Sequence, residues 1–259
     1  MAGAIVRGAV ESGAVAGSDI VLHDAHAPAA QALAKDTGAR VVGSAGELVE
    51  ASDVVVLAVK PQVLPVVLTK IADDVARRRP LVVSIAAGVT LATLGATLDG
   101  ARLVRVMPNV NALVGAGMAA LCGNDAAGEE DLTVVEELFA AVGDVVRIAE
   151  QDFATYTAIA GSSPAFVFTF IDALARGAVR DGMPKALSVQ IAAQAVLGSA
   201  RMVLERAEAG TTPADLADMV SSPGGTTIAG LVAMEEAGFS PAVVRGVRAV
   251  IERDRELGA

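Results

Sequence analysis

The sequence predicts an α/β domain built on a parallel sheet covered by helices, followed by an all-α domain. Three observations carry this reading. Over residues 1–150 short β-branched runs alternate with helical stretches. After about Gln151 the β pattern stops, and residues 151–259 read as helices separated by Gly and Pro. The length of 259 residues, with 53% hydrophobic content, suits two domains with a substantial core.

The elements follow in order. Residues 1–13 read as an amphipathic helix, because Arg7 and Glu11 interrupt the unbroken apolar segment that a signal peptide needs. Strands are expected at residues 20–23 and 40–42, with a helix at 29–37 between them. Residues 53–59 (Asp53-Val54-Val55-Val56-Leu57-Ala58-Val59) are apolar on both faces, as in a central strand. Helices at 64–77 and 91–98 alternate with strands at 81–85 and 103–107, and strands at 117–121 and 144–148 close the domain. The second domain carries Ala, Leu, Val and Met at helical spacing over residues 165–179, 185–208, 213–219, 228–237 and 240–257. So many apolar faces suit packing against a second subunit, although a self-contained bundle fits the same pattern.

Composition narrows the ligand class. With a net charge of −10, no Trp and no basic cluster, the chain has no electrostatic footprint for nucleic acid or an anionic membrane. No apolar run is expected to reach the roughly 18–20 residues of a membrane span. The longest, residues 164–175, is cut short by Asp172 and Arg176. Cys122 is the single cysteine and is expected to be a buried, reduced thiol. The two histidines, His23 and His26, lie close together, so no metal site is expected. These readings describe a cytoplasmic protein with small-molecule ligands.

Ser222-Pro223-Gly224-Gly225-Thr226-Thr227 is the most informative short stretch. The glycines let backbone N–H groups approach a ligand, hydroxyls flank them, and a helix follows whose N-terminus attracts anions. It reads as a cradle for a small carboxylate; an ordinary Pro-Gly loop has the same composition. The Gly-rich turn that joins first strand to first helix in dinucleotide-binding domains is absent, since Gly3 and Gly8 lack its spacing. A doubly wound sheet needs its central first strand, so a strand and glycine loop are expected upstream of Met1.

Several separated segments now stand together: Ala58-Val59-Lys60-Pro61-Gln62, Val106-Met107-Pro108-Asn109 with Val114-Gly115-Ala116-Gly117, Gly161-Ser162-Ser163-Pro164-Ala165-Phe166, the 222–227 stretch, and the tail Glu252-Arg253-Asp254-Arg255-Glu256-Leu257. In this order and at these spacings the chain resembles the pyrroline-5-carboxylate reductase family along nearly its whole length. The resemblance implies a Rossmann-type domain, here without its first strand and glycine loop, and a C-terminal helical dimerisation domain. It also implies reduction of pyrroline-5-carboxylate to proline with NADPH or NADH, by a homodimer that in some members assembles further.

On that resemblance Thr169 is the catalytic candidate, bonding the ring nitrogen and relaying a proton, although helix Thr hydroxyls commonly bond the preceding turn. Ser222, Gly225, Thr226 and Thr227 are the substrate-carboxylate candidates. Ala58, Val59, Lys60 and Pro61, with Met107, Pro108 and Asn109, end strands at the edge where dinucleotides bind. Lys60 also fits a solvated charge, and Pro108 and Asn109 fit plain turn formers. Asp24 ends the first strand, where a carboxylate bonds an adenosine ribose and repels a 2′-phosphate, which favours NADH over NADPH. His23 or His26 beside it fits a phosphate contact instead. Ser163 and Phe166 stand where the family usually has Gly and Tyr, and Val110-Asn111 where Thr-Pro is frequent. The alternatives are a reductase of another cyclic imine or keto acid, or a dimeric ligand-binding remnant without catalysis.

Overall fold

A computed structural model describes residues 1–258, which divide into two compact units: residues 1–162 with 249–258, and Ser163–Arg248. The first unit opens with α1 (Ala2–Glu11), β1 (Val21–Leu22), α2 (Ala27–Thr37), β2 (Arg40–Val41) and α3 (Ala45–Glu50). It continues with β3 (Val54–Leu57), α4 (Leu64–Arg78), β4 (Leu81–Ser84), α5 (Leu91–Gly95) and β5 (Arg102–Pro108). Then come β6 (Gly117–Gly123), α6 (Glu129–Ala140), β7 (Gly143–Arg147) and the short α7 (Phe153–Tyr156), which runs into a π-helical turn, Thr157–Ser162.

The main sheet has five strands in the order β3-β4-β5-β6-β7. Alternation along each strand sends neighbouring side chains to opposite faces. On one face Val55, Leu57, Val82 and Leu103 meet Leu64, Leu68, Ile71 and Val75, which recur at helical spacing along α4. On the other, Leu81, Val83, Val104 and Val106 meet Ile5 of α1 and Val135 and Phe139 of α6. In register, Leu57, Ser84, Arg105 and Cys122 form one row across β3 to β6.

The expected parallel sheet is present with one antiparallel pairing, and the placement of one strand needs correction. The sheet is parallel except at β5–β6, which is antiparallel, because residues 109–116 are too few for a crossover of a dozen or more residues. The run at residues 53–59 is not a central strand: β3 spans Val54–Leu57 at the edge of the five-stranded sheet, and β1 and β2 pair in a separate two-stranded one. Among the described residues β3 pairs only with β4, so Val54 and Val56 are half-buried although their side chains are those of a strand covered on both faces.

Cys122 lies in β6 and is half-buried rather than buried. Burial, reinforced by the Glu150 charge, pushes its thiol up to about 12. Only the thiolate is nucleophilic, so alkylation by iodoacetamide at pH 8 is expected to run roughly 100-fold slower in the native protein than in urea. Equal rates would show that the thiol is not held in this environment.

The second unit consists of α8 (Ser163–Arg180), α9 (Lys185–Ala207), α10 (Pro213–Met219), α11 (Thr226–Glu236) and the beginning of α12 (Phe239–Gly258), whose last turns belong to the first unit. The rings of Phe170 and Phe239 pack at 5.9 Å, and Asp172 pairs with both Arg176 and Lys185. Little of the unit is buried: α8 and α9 contribute only Pro164, Ala175, Ser188 and Ala192. The expectation that no apolar stretch reaches membrane-span length is corrected here. Glu150–Arg180 and Lys185–Ala207 are long and apolar enough to cross a bilayer by length and composition, and Thr226–Glu236 with Phe239–Glu256 forms a third such stretch bent by 52°. A helix tolerates one or two charges within a span, which a search for uninterrupted apolar runs overlooks.

Candidate functional site

Three adjacent parallel strands, β3, β4 and β5, end at the same edge of the sheet. This is the edge outside which α/β sheets bind ligands. The turn after β3 holds Ala58, Val59, Lys60 and Pro61. Val59 packs on the core, and the Lys60 carbonyl accepts from the Val63 and Leu64 N–H groups, leaving Ala58 and the Lys60 side chain exposed. The turn after β4, Ser84-Ile85-Ala86-Ala87-Gly88, escaped the sequence reading. It carries only small residues at its tip and turns at Gly88 with φ +74°. Its legible signal was Ala-Ala-Gly directly behind an apolar strand, a composition that admits close approach of a ligand.

At the end of β5, Met107 is half-buried while Pro108 and Asn109 are buried. The Asn109 carboxamide is engaged internally: Oδ1 accepts from the N–H groups of Asn111 and Met118, both at 3.2 Å, and Nδ2 donates to the Ala160 carbonyl at 3.0 Å. Gly161, on the same π-helical turn as Ala160, lies so near Met107 that a Cβ there would sit 3.1 Å from Met107 Cε. Small residues behind Met107 therefore let the turn close on the strand end.

Beneath this edge lies a charge cluster around a buried arginine that the sequence reading also missed. The Arg105 side chain, 7% exposed, pairs with Glu150 at 3.2 Å, and its guanidinium stands 4.3 Å from the centre of the Phe153 ring. Glu150 Oε1 also accepts from the Leu91 N–H at the start of α5, at 2.6 Å. The tail supplies Asp254, whose carboxyl is raised by burial, against the opposing influence of the Arg105 charge and the Thr157 hydroxyl.

Asp24 closes β1, and its Oδ1 accepts from the His26 N–H at 2.8 Å, which starts α2 and limits β1 to two residues. His23 Nδ1 donates to the Val42 carbonyl at 3.3 Å.

In the second unit the 222–227 stretch folds as a turn onto a helix. The Gly225 N–H donates to the Ser222 carbonyl at 2.9 Å, Gly224 takes φ +69°, and Gly225 is the N-cap of α11. The N–H of Gly225 is thus used within the turn, while those of Thr226 and Thr227 open the helix with no partner one turn back. The hydroxyls of Ser222, Thr226 and Thr227 have no internal partner among the described residues. Thr169 lies on α8, and its Oγ1 donates to the Ala165 carbonyl at 3.0 Å. Ser163 is the first residue of α8; among the described residues Arg79 alone of the non-glycines has positive φ, so serine is unstrained at that position.

The fold and the strand-end turns define an oxidoreductase plan, a dinucleotide-binding α/β unit joined to a helical one. Residues 150–257 match the family model described as pyrroline-5-carboxylate reductase dimerisation, and residues 1–88 the model described as NADP oxidoreductase, coenzyme F420-dependent. The pyrroline-5-carboxylate reductase of Methanosarcina acetivorans is 41% identical over 259 residues, covering 100% of this chain and 94% of that protein. The chain belongs to the pyrroline-5-carboxylate reductase family, whose members are NAD(P)H-dependent oxidoreductases of proline biosynthesis and form dimers. The solved pyrroline-5-carboxylate reductase of Coxiella burnetii superposes with a TM-score of 0.91 at 29% identity, covering 100% of this chain and 95% of that one. That of Plasmodium falciparum, solved with NADP bound, gives 0.88 at 29% identity, with 99% and 94% covered.

Proposed function

We propose that this chain reduces 1-pyrroline-5-carboxylate to L-proline as a homodimer assembled through its C-terminal helices. The observation that carries the reading is the shared edge of β3, β4 and β5, where small-residue turns leave backbone open to a dinucleotide. Ala58, Val59, Lys60, Pro61, Met107 and Pro108, with Ala87 and Gly88, would hold the cofactor at its nicotinamide end, and Asp24 the adenosine ribose. Bound NAD(P)H supplies the hydride taken up by the C=N carbon. Asp24 gives NADH the edge over NADPH, since a carboxylate repels a 2′-phosphate.

The residues of the second unit bind and orient the imine. Thr226 and Thr227 meet the substrate carboxylate with their N–H groups at the positive end of α11, and the Ser222 and Thr227 hydroxyls add donors. Thr169 Oγ1 already donates to Ala165, so its free lone pairs accept from the protonated imine nitrogen and fix the ring for hydride uptake. The apolar faces of the second unit, exposed at Phe168, Leu197 and Leu204, we assign to a second copy rather than to a bilayer. Support comes from the dimerisation model matched over residues 150–257 and from the charged residues Asp172, Arg176, Lys185, Arg201 and Glu205 on the same helices. A half-buried free thiol fits a reducing cytoplasm.

The test is pyrroline-5-carboxylate-dependent oxidation of NADH and of NADPH by the purified protein, with Thr169→Val and Thr169→Ser alongside. The protein is expected to turn over with both cofactors and to have the higher kcat/KM with NADH. Removing one bond to a charged group costs about 1.5–3 kcal/mol, so Thr169→Val should lose roughly 10-fold or more in kcat while Thr169→Ser stays near the parent. Turnover of other cyclic imines in preference would reassign the substrate.

A further inference from the structure

We infer that Asn109 is a positioning residue for this reaction, acting through the π-helical turn Thr157–Ser162; the inference rests on the assignment of the β5 end to the cofactor edge. The turn sits one residue before a proline-bearing helix start, Ser163-Pro164. In the α-helical register that α8 resumes at Ser163, the Ala160 carbonyl would face the N–H of residue 164, and that residue is Pro164, which has none. Asn109 Nδ2 supplies a donor to this carbonyl at 3.0 Å from outside the helix. With its Oδ1 the same carboxamide holds the N–H groups of Asn111, just beyond β5, and Met118, the second residue of β6.

One side chain, 6% exposed, therefore ties three backbone segments together. The turn it holds contacts the strand end directly, since Gly161 leaves only enough room for Met107. π-helical turns are rare and cluster at functional sites, because they depend on outside partners to keep their shape. The Gly161–Ser162 segment leads without a break into α8, the helix of Thr169. Asn109 thus acts on the reaction by fixing Met107 and this segment as one body, without touching the reacting atoms.

A double-mutant cycle tests this, because Pro164→Ala gives the helix back the N–H that Asn109 replaces. Asn109→Ala is expected to lower kcat roughly 10- to 100-fold with the imine KM changed less than about threefold, as loss of orientation does. Pro164→Ala in that background should recover at least about threefold in kcat, while Pro164→Ala alone stays near the parent. Should Asn109→Ala fold poorly, Asn109→Asp keeps the Oδ1 acceptor and replaces the donor by a carboxylate oxygen that opposes the Ala160 carbonyl. Deuterium exchange at the amides of residues 161–163, read without substrate, is expected to quicken about tenfold in Asn109→Asp against the parent. Parental kcat in a folded Asn109 variant, strictly additive effects in the cycle, or unchanged exchange would each overturn the inference. An inactive parent would sink the substrate assignment instead, and the exchange measurement would still decide whether Asn109 holds the turn.

Discussion

A Gly225→Ala variant is expected to keep its fold and to lose roughly 10- to 100-fold in kcat/KM for the imine, mostly through KM, the scale of one or two lost charge-assisted bonds. The backbone of Gly225, at φ −76° and ψ 169°, is open to any residue, so the effect does not come from strain. It comes from space. A Cβ at Gly225 would stand 2.7 Å from Ser222 Oγ and 3.0 Å from the Ser222 carbonyl oxygen. The hydroxyl swings away, and the carbonyl that accepts the Gly225 N–H is pressed outward, so the first turn of α11 no longer presents Thr226 and Thr227 with Ser222 beside them. Steady-state kinetics with both substrates varied separates the outcomes. A parental KM for the imine, with a normal melting temperature, would mean that the carboxylate is held elsewhere. Gly224→Ala is the contrasting case: at φ +69° it pays about 1–2 kcal/mol of conformational strain, and it should lower stability as well as activity.

Arg105→Met is expected to destabilise the protein by about 3–4 kcal/mol, the lower part of the range for breaking a buried ion pair. The lower part applies because the Glu150 side chain remains 33% exposed and is partly screened. Methionine preserves much of the apolar contact with Phe153, so the change isolates the charge. Glu150 would be left holding the Leu91 N–H alone, and Asp254 would lose the one cation that opposes its burial. The pH dependence has a definite sign. A carboxyl whose folded value is raised contributes stability that is present below its unfolded value and is lost as pH rises through the folded one. Without Arg105 that rise is larger, so the penalty should be greater at pH 8 than at pH 5. Asp254→Asn in the Arg105→Met background should recover part of it at pH 8. Melting curves at both pH values and one fixed protein concentration check this. A penalty that shrinks as pH rises would remove Asp254 from the cluster.

Most of the α/β unit was legible because its strands announce themselves locally. Leu81-Val82-Val83-Ser84 is β-branched and bounded by Pro80, and α4 repeats its apolar residues every three or four positions from Leu64 to Val75. The long helices of the second unit were equally plain. Helix α3 went unmarked although Ser44 caps it: the Glu47 N–H bonds Ser44 Oγ at 3.2 Å, and Glu47 Oε2 accepts from the N–H of Gly43, one residue before the cap. Strand pairing was less visible. The antiparallel return of β6 depends on the length of a connection, and the separation of β1 and β2 from the main sheet depends on which partners are present.

The candidate site residues divide in the same way. Short motifs marked the turns after β3 and β5 and the 222–227 turn, while the turn after β4 passed unmarked, because proline and hydroxyl residues announce local backbone behaviour more plainly than Ala-Ala-Gly does. What Asn109 and Arg105 do could not be read from their neighbours in sequence. Asn109 meets the Ala160 carbonyl, 51 residues along the chain, and Arg105 faces an acid near the C-terminus. Such pairings become visible only when the fold brings the segments together.

The sparse interior of the second unit carries a thermodynamic consequence. Helices α8 and α9 bury only Pro164, Ala175, Ser188 and Ala192 within one chain, too little apolar area to offset the ordering of so many residues. On the proposed assembly, most of the driving force for these helices to stay folded arrives with the second copy. The midpoint of unfolding is then a function of subunit concentration rather than a fixed constant, and dilution acts as a denaturant.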